Sequence, residues 1–239
     1  MDYRGLEGLS RCIADQGVIP KAEDFSTAWA RIHNFNPKIK LPSFKDLNIG
    51  TDGTGMSPRN GGGYLEFKYG KKRRKKYIMV VVTVDVKHKK LLAVEAHVEG
   101  EGLSEPEIGR NQGKEIIEKG YRVVKVNADR RHDTNDTFDF WDNHGPPICA
   151  IPIHNNAKIR LSTSEKRKDE IRIWRRLGVK RWYRKKRAGE RLVVEGEHSA
   201  VKRRFGENLR SRSESALCFE ANRKYWAYDL VKDYATERM

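Results

Sequence analysis

The run Tyr77-Ile-Met-Val-Val-Val-Thr-Val84 is apolar and mostly β-branched along its whole length. A strand with one wet face alternates apolar and polar residues, whereas an unbroken run of this kind suits a strand buried on both faces. The frame for the rest of the chain is therefore a sheet with a layer on each side. A turn around Lys87-His88-Lys89 leads to a further strand pattern, Leu91 to Val98, and so short a connection implies an antiparallel hairpin.

Other segments extend this frame. Asn48 to Asp52 reads as a short strand before the hairpin, followed by a glycine-rich turn region from Gly53 to Gly63. Ser104 and Glu107 fit a capping box and Gly120 a C-cap, which brackets a helix. Arg122 to Ala128 is a fourth strand and Ile148 to Ile153 a fifth, with a short helix from Asp136 to Asn143 between them carrying Phe138 and Trp141. Residues 154–190 form a basic insert, with Ser162 and Glu165 as a second capping box and Gly178 as a helix stop. Arg191 to Phe205 is helical in pattern, and a last helix spans Ser215 to Tyr234. The order predicts an α/β fold, a mixed sheet flanked by helices. Residues 1–45 are polar and read as an N-terminal arm or the remnant of an N-terminal domain. Asp24 to His33 is a short helix there, and the stretch around Pro37 and Pro42 is a linker. Residues 46–235 form the main domain.

Charge narrows the partner. The 239 residues hold 49 Lys and Arg against 33 Asp and Glu, a formal net charge of +16. Such an excess favours a polyanion, DNA or RNA before an acidic membrane face. The longest apolar run, Ile78 to Val82, is too short to span a bilayer, and no export signal is evident, so a cytoplasmic, nucleoid-associated protein is expected. Cys12, Cys149 and Cys218 are isolated and form neither a zinc knuckle nor a disulfide framework. The cations cluster as Lys71-Lys-Arg73-Arg-Lys-Lys76 and as 14 Lys and Arg against 3 acids between Lys158 and Arg187. Trp174, Trp182 and Tyr183 are interleaved with the second cluster, either to stack on splayed bases or as the insert's own small core.

Against this basic background three acids stand out. Asp52 lies in Ile49-Gly-Thr-Asp52-Gly-Thr-Gly55; an acid inside a strand is costly to bury unless a cation pairs with it. Asp129 closes the fourth strand, where ligands gather in open α/β sheets, and is followed by Arg130-Arg-His132-Asp133, with His132 and Asp133 as candidate supporting partners. Glu195 shares a helical stripe with Arg191, Ser199 and Lys202, while Val194, His198, Val201 and Phe205 make a neighbouring stripe able to pack on the sheet. Each acid taken alone also fits a turn, a cap or a surface ion pair.

Taken together, these stretches resemble the catalytic domain of the DDE transposases of prokaryotic insertion sequences, over about residues 45–235. The family's third motif reads Tyr, two residues, Arg, three, Glu, six, Lys; Arg191, Glu195 and Lys202 match it, and Ala188 stands at the Tyr position. In the second motif His132 takes the place of a tyrosine and Asp133 is kept. The resemblance implies a ribonuclease H-like fold, a five-stranded mixed sheet with its first three strands antiparallel and its first and fourth strands adjacent. It further implies that Asp52, Asp129 and Glu195 are catalytic and hold two Mg²⁺ or Mn²⁺ ions. Arg191, Lys202 and Arg203, with Lys71, Arg73, Arg184 and Lys185, are the candidate nucleic-acid contacts. The expected substrates are double-stranded DNA, both the element's terminal inverted repeats and a target, cleaved and joined by a protein that can assemble as a homodimer on DNA. The alternatives are a related nuclease that does not join strands and a truncated, inactive DNA-binding remnant.

Overall fold

The central strand of the sheet is the one that carries Asp52. The structure, a computed structural model, describes residues 3–35, 38–58, 77–145 and 147–237. Strand β1 (Asp46–Pro58) pairs antiparallel with β2 (Ile78–Asp85), which pairs antiparallel with β3 (Lys90–Val98). On its other side β1 runs parallel to β4 (Arg122–Ala128), and β4 parallel to β5 (Ile148–Ala150). The order is thus β3-β2-β1-β4-β5, and a two-residue strand, β6 (Asn208–Leu209), pairs with the end of β1. Seven α-helices are present among the described residues: α1 (Tyr3–Asp15), α2 (Phe25–Asn34), α3 (Glu105–Glu118), α4 (Asn135–Asn143), α5 (Glu165–Lys186), α6 (Leu192–Phe205) and α7 (Glu214–Glu237). The fold is mixed α/β with a six-stranded mixed sheet. None of these helices is long and apolar enough to cross a membrane.

The chain divides into two compact units, Met1–Lys38 and Ile39–Met239. In the first, Asp24 caps α2 by accepting a hydrogen bond from the Thr27 N–H at 2.7 Å, as a short acidic side chain does at a helix start. Helix α1 has no counterpart in the sequence reading, although Leu6, Leu9 and Ile13 fall at helical spacing. In the second unit, Leu41 and Phe44 already pack against the core, so the linker ends before residue 45.

The unbroken β2 run is explained by its two covered faces. Ile78, Val80, Val82 and Val84 join Val194 and Val201 of α6 and Leu217, Ala221 and Tyr225 of α7 in one apolar cluster. Val81 and Thr83 face α3, where Gln112 donates to the Val81 carbonyl at 3.1 Å and accepts from the Thr83 hydroxyl at 2.7 Å. The opposite cluster gathers Leu47, Ile49, Val126, Phe138, Trp141 and Ile171.

Several boundaries differ from expectation. Strand β1 continues through Gly53 to Pro58, because Gly53, Thr54 and Gly55 stay paired with β2; the supposed turn residues are ladder residues. Residues 59–63 lie outside those described. The cap of α5 is Ser164, whose hydroxyl accepts from the Arg167 N–H at 3.2 Å, and not Ser162. Gly178 stops the first helical stretch of α5 as expected, its non-helical φ of 70° and ψ of 164° separating it from a second stretch across a kink. Strand β5 is cut to three residues. Trp174 and Trp182 are core residues with rings 4.8 Å apart, buried beneath the basic insert, so of the three aromatics only Tyr183 is exposed.

Candidate active site

Glycine at position 50 sets the distance between the sheet and α6. A Cβ built there would lie 2.6 Å from Val194 Cγ2 and 3.0 Å from Val86 Cγ2. The bare backbone lets α6 settle directly on β1 through Val194, the residue before Glu195. A buried polar network fixes the approach of the short 3₁₀ turn Ala188–Arg191 that leads into α6. Glu190 accepts from Lys125 Nζ on β4 at 2.7 Å and from Asn48 Nδ2 on β1 at 2.8 Å. Burial alone would raise the Glu190 carboxyl, but Lys125 and Asn48 hold it below the usual range. Neither Glu190 nor Lys125 was singled out from sequence; the one signal was a lysine interrupting the apolar β4 pattern.

Asp52 and Asp129 lie where the parallel β1–β4 ladder ends, with Glu195 close to Asp52. Thr51 and Ala128 are the last registered pair of the parallel β1–β4 ladder, so Asp52 and Asp129 are the next residues on adjacent strands. Neighbouring strands lie about 4.8 Å apart, and the charge of Asp129 acts on the Asp52 carboxyl. Glu195 arrives from the first turn of α6. Arg191 joins it to Asp52: the guanidinium lies 3.3 Å from Asp52 Oδ1 and also pairs with Glu195 Oε1. Asp52 and Glu195 are therefore separated by the width of one planar cation. Asp52, Glu195, Lys202 and Arg203 line a cleft of about 470 Å³, floored by His198.

The acids around this cleft repel one another. The Asp52 carboxyl is pushed up to about 6, first by burial and then by the charges of Glu105, Asp129 and Glu195, with Arg191 opposing. His198 is pushed down to about 4 by burial, so it is neutral at pH 7; its Nδ1 lies 2.6 Å from the Tyr225 hydroxyl. The Lys202 ammonium donates to the Gly55 carbonyl at 2.9 Å at the cleft wall.

Not every expected residue falls here. Lys71 and Arg73 lie outside the described residues. Arg184 and Lys185 are exposed on α5, away from the cleft lining. Arg191, expected to contact phosphate, is turned onto the two acids. Asp133, expected to support Asp129, is turned away from it: its buried carboxylate binds Arg167 at 2.7 Å and the His154 N–H at 2.8 Å, anchoring α5. Glu105 was read only as part of a helix start. In the structure it sits over Gly53, where a Cβ would come within 2.7 Å of its carboxylate, and Arg131 binds it at 3.0 Å. Among the described residues, the group whose ligand atoms all lie within 4.8 Å of one another is Glu105, Asp129 and His132, not Asp52, Asp129 and Glu195.

No protein-family model matches the chain, and no curated protein matches it.

The close contact at Gly50 makes a prediction. Gly50→Ala forces apart β1 and α6, whose facing valines are stiff, and should cost about 1–3 kcal/mol in urea unfolding. Gly196→Ala, in open space on the same helix, should be neutral or stabilising by up to about 1 kcal/mol.

Proposed function

We propose that this chain is a metal-dependent DNA phosphoryltransferase of the DDE transposase type, built on a ribonuclease H-like sheet. One observation carries the reading: Asp52 and Asp129 follow the last registered pair of adjacent parallel strands, while Arg191 ties Glu195 to Asp52. The order β3-β2-β1-β4-β5, antiparallel through β1, is consistent with it.

The residues present fit divalent cations. Carboxylate oxygens are the ligands hard ions prefer, and a guanidinium already stands between two of the acids as a positive charge. Asp52, Asp129 and Glu195 would hold two Mg²⁺ or Mn²⁺ ions. Such ions supply Lewis-acid polarisation of a phosphodiester and a water or 3′-hydroxyl made nucleophilic near neutral pH. The chain itself supplies position and charge. Lys202 and Arg203 on the cleft wall bind phosphates beside the reacting bond, Lys as a point charge and Arg as a fork. Neutral His198 keeps the floor free of a competing cation. The exposed Arg184 and Lys185 of α5 contribute sequence-independent backbone attraction.

The test uses supercoiled plasmid carrying the DNA that flanks the coding sequence in its source. Purified protein with Mg²⁺ or Mn²⁺ should nick at the element's ends and join the freed 3′ end to added target DNA. Nicks without joined products would identify a nuclease. Binding that weakens steeply with salt, with no turnover in either ion, would leave a DNA-binding protein only.

A further inference from the structure

We propose that Glu105, Asp129 and His132 form a single cation site of mixed carboxylate and imidazole donors, suited to a divalent first-row transition ion in preference to Mg²⁺. The site shares Asp129 with the phosphoryl-transfer reading and to that extent rests on it. Its composition differs from the acid triad in both other ligands.

Three elements converge here. Glu105 opens α3, Asp129 follows β4 and caps the 3₁₀ turn Arg130–His132, and His132 closes that turn. One ligand atom from each lies within 4.8 Å of the other two, a spacing over which one ion can be shared.

The second observation is an unsatisfied pair. His132 is 3% exposed, and its Nε2 has no hydrogen-bond partner. It faces Glu105 Oε1 at 3.5 Å, and that oxygen is buried and without a hydrogen-bond partner too. Their 3.5 Å ion pair is long for a hydrogen bond and neither atom has another partner, a state native interiors rarely leave. A cation between them would satisfy both. The other Glu105 oxygen is already taken by Arg131, so the free one is directed to the site.

The third observation is a cradle in the backbone. Glycine at 53 lets Glu105 lie against β1, and glycine at 109 does the same for His132, whose Cε1 would be 2.9 Å from a Cβ there. Both side chains are therefore admitted by a missing methyl group on a paired element. The imidazole decides ion class. Mg²⁺ takes oxygen donors and holds its waters, whereas an imidazole favours first-row transition ions, among which Mn²⁺ binds most weakly and serves here as the paramagnetic probe.

The experiment titrates the full chain, free of DNA, with Mn²⁺. Electron paramagnetic resonance counts the bound ion, and its pulsed form reads ¹⁴N coupling from a ligating imidazole. Wild-type protein should bind an Mn²⁺ ion with nitrogen coupling that excess Mg²⁺ does not abolish. His132→Gln should lose the coupling and bind Mn²⁺ roughly tenfold or more weakly. Glu105→Gln should weaken binding similarly, with near-ultraviolet circular dichroism reporting that each variant is folded. Asp52→Asn should keep the nitrogen-coupled ion. A wild-type spectrum without nitrogen coupling, or coupling that survives in folded His132→Gln, overturns the site. Nitrogen-coupled Mn²⁺ in a protein that never cleaves DNA would support the site and refute the phosphoryl-transfer reading alone.

Discussion

Asp52→Asn is expected to lower metal-dependent strand cleavage on the order of 10³-fold while making the protein more stable. The two effects share one cause. Asp52 is buried among Glu105, Asp129 and Glu195, so its ionised form is opposed by desolvation and by three like charges, with one guanidinium in its favour. Asparagine keeps the shape and removes the charge. It also removes the ligand, and losing several kcal/mol of charge stabilisation at a reacting phosphate corresponds to about three powers of ten in rate. The sign of the stability change follows from linkage. The folded-state value is about 6 against an ordinary 3.8, so the native protein binds this proton more tightly than the unfolded chain. The stability it contributes is fully present below pH 4 and is lost as pH rises through 6. Asparagine should therefore gain nothing at pH 4, gain increasingly up to pH 6, and level off above at about 1–3 kcal/mol. Thermal unfolding of both proteins from pH 4 to 8 measures this. His198, held down to about 4, works in the opposite direction: its contribution is lost as pH falls from 6.5 towards 4. It is common to both proteins and cancels from the difference. A loss of stability in Asp52→Asn at neutral pH would show that Asp52 is a structural partner of Arg191 and not a strained acid awaiting a cation.

Arg167→Leu should destabilise the second unit by about 3–5 kcal/mol, because it strands a buried charge. The Asp133 side chain is fully buried and accepts from Arg167 Nε at 2.7 Å, from Arg167 Nη2 at 3.2 Å and from the His154 backbone at 2.8 Å. With the guanidinium gone, the carboxylate keeps a single backbone donor. Arg167→Lys should recover part of the loss, since an ammonium restores charge but not the two-pronged geometry. Adding Asp133→Asn to Arg167→Leu should recover more than Lys does, since it removes the stranded charge itself. Urea unfolding of the four proteins gives the ordering. The pair also links the end of β4, just beyond Asp129, to the basic helix α5, so Arg167→Leu should reduce cleavage even where the protein remains folded.

Much of the sheet was legible because its signals are local. The β2 run, the Lys87–Lys89 turn and the Glu107 carboxylate accepting from the Ser104 N–H at 2.7 Å each depend on residues a few positions apart. The stripe of Val194, His198 and Val201 packs on the sheet as helical spacing requires, although Phe205 at its end is 36% exposed. The length of β1 was misjudged because glycine signals a turn from sequence alone, while here Gly50 and Gly53 make room for α6 and for Glu105. The aromatics of the basic insert were ambiguous for a related reason: composition reports which side chains are available and not which way they turn.

Periodicity and capping chemistry alone determined the strand and helix order, and charge alone favoured a polyanionic partner. Those properties are set by neighbours along the chain and by sums over it. Only tertiary structure decided which carboxylates meet. Glu105 and His132 come from segments 27 residues apart, yet their side chains face each other across 3.5 Å. Such a meeting depends on two glycines elsewhere and on how closely helices settle on a sheet. Packing distances of a few tenths of an ångström carry no signature in a linear pattern.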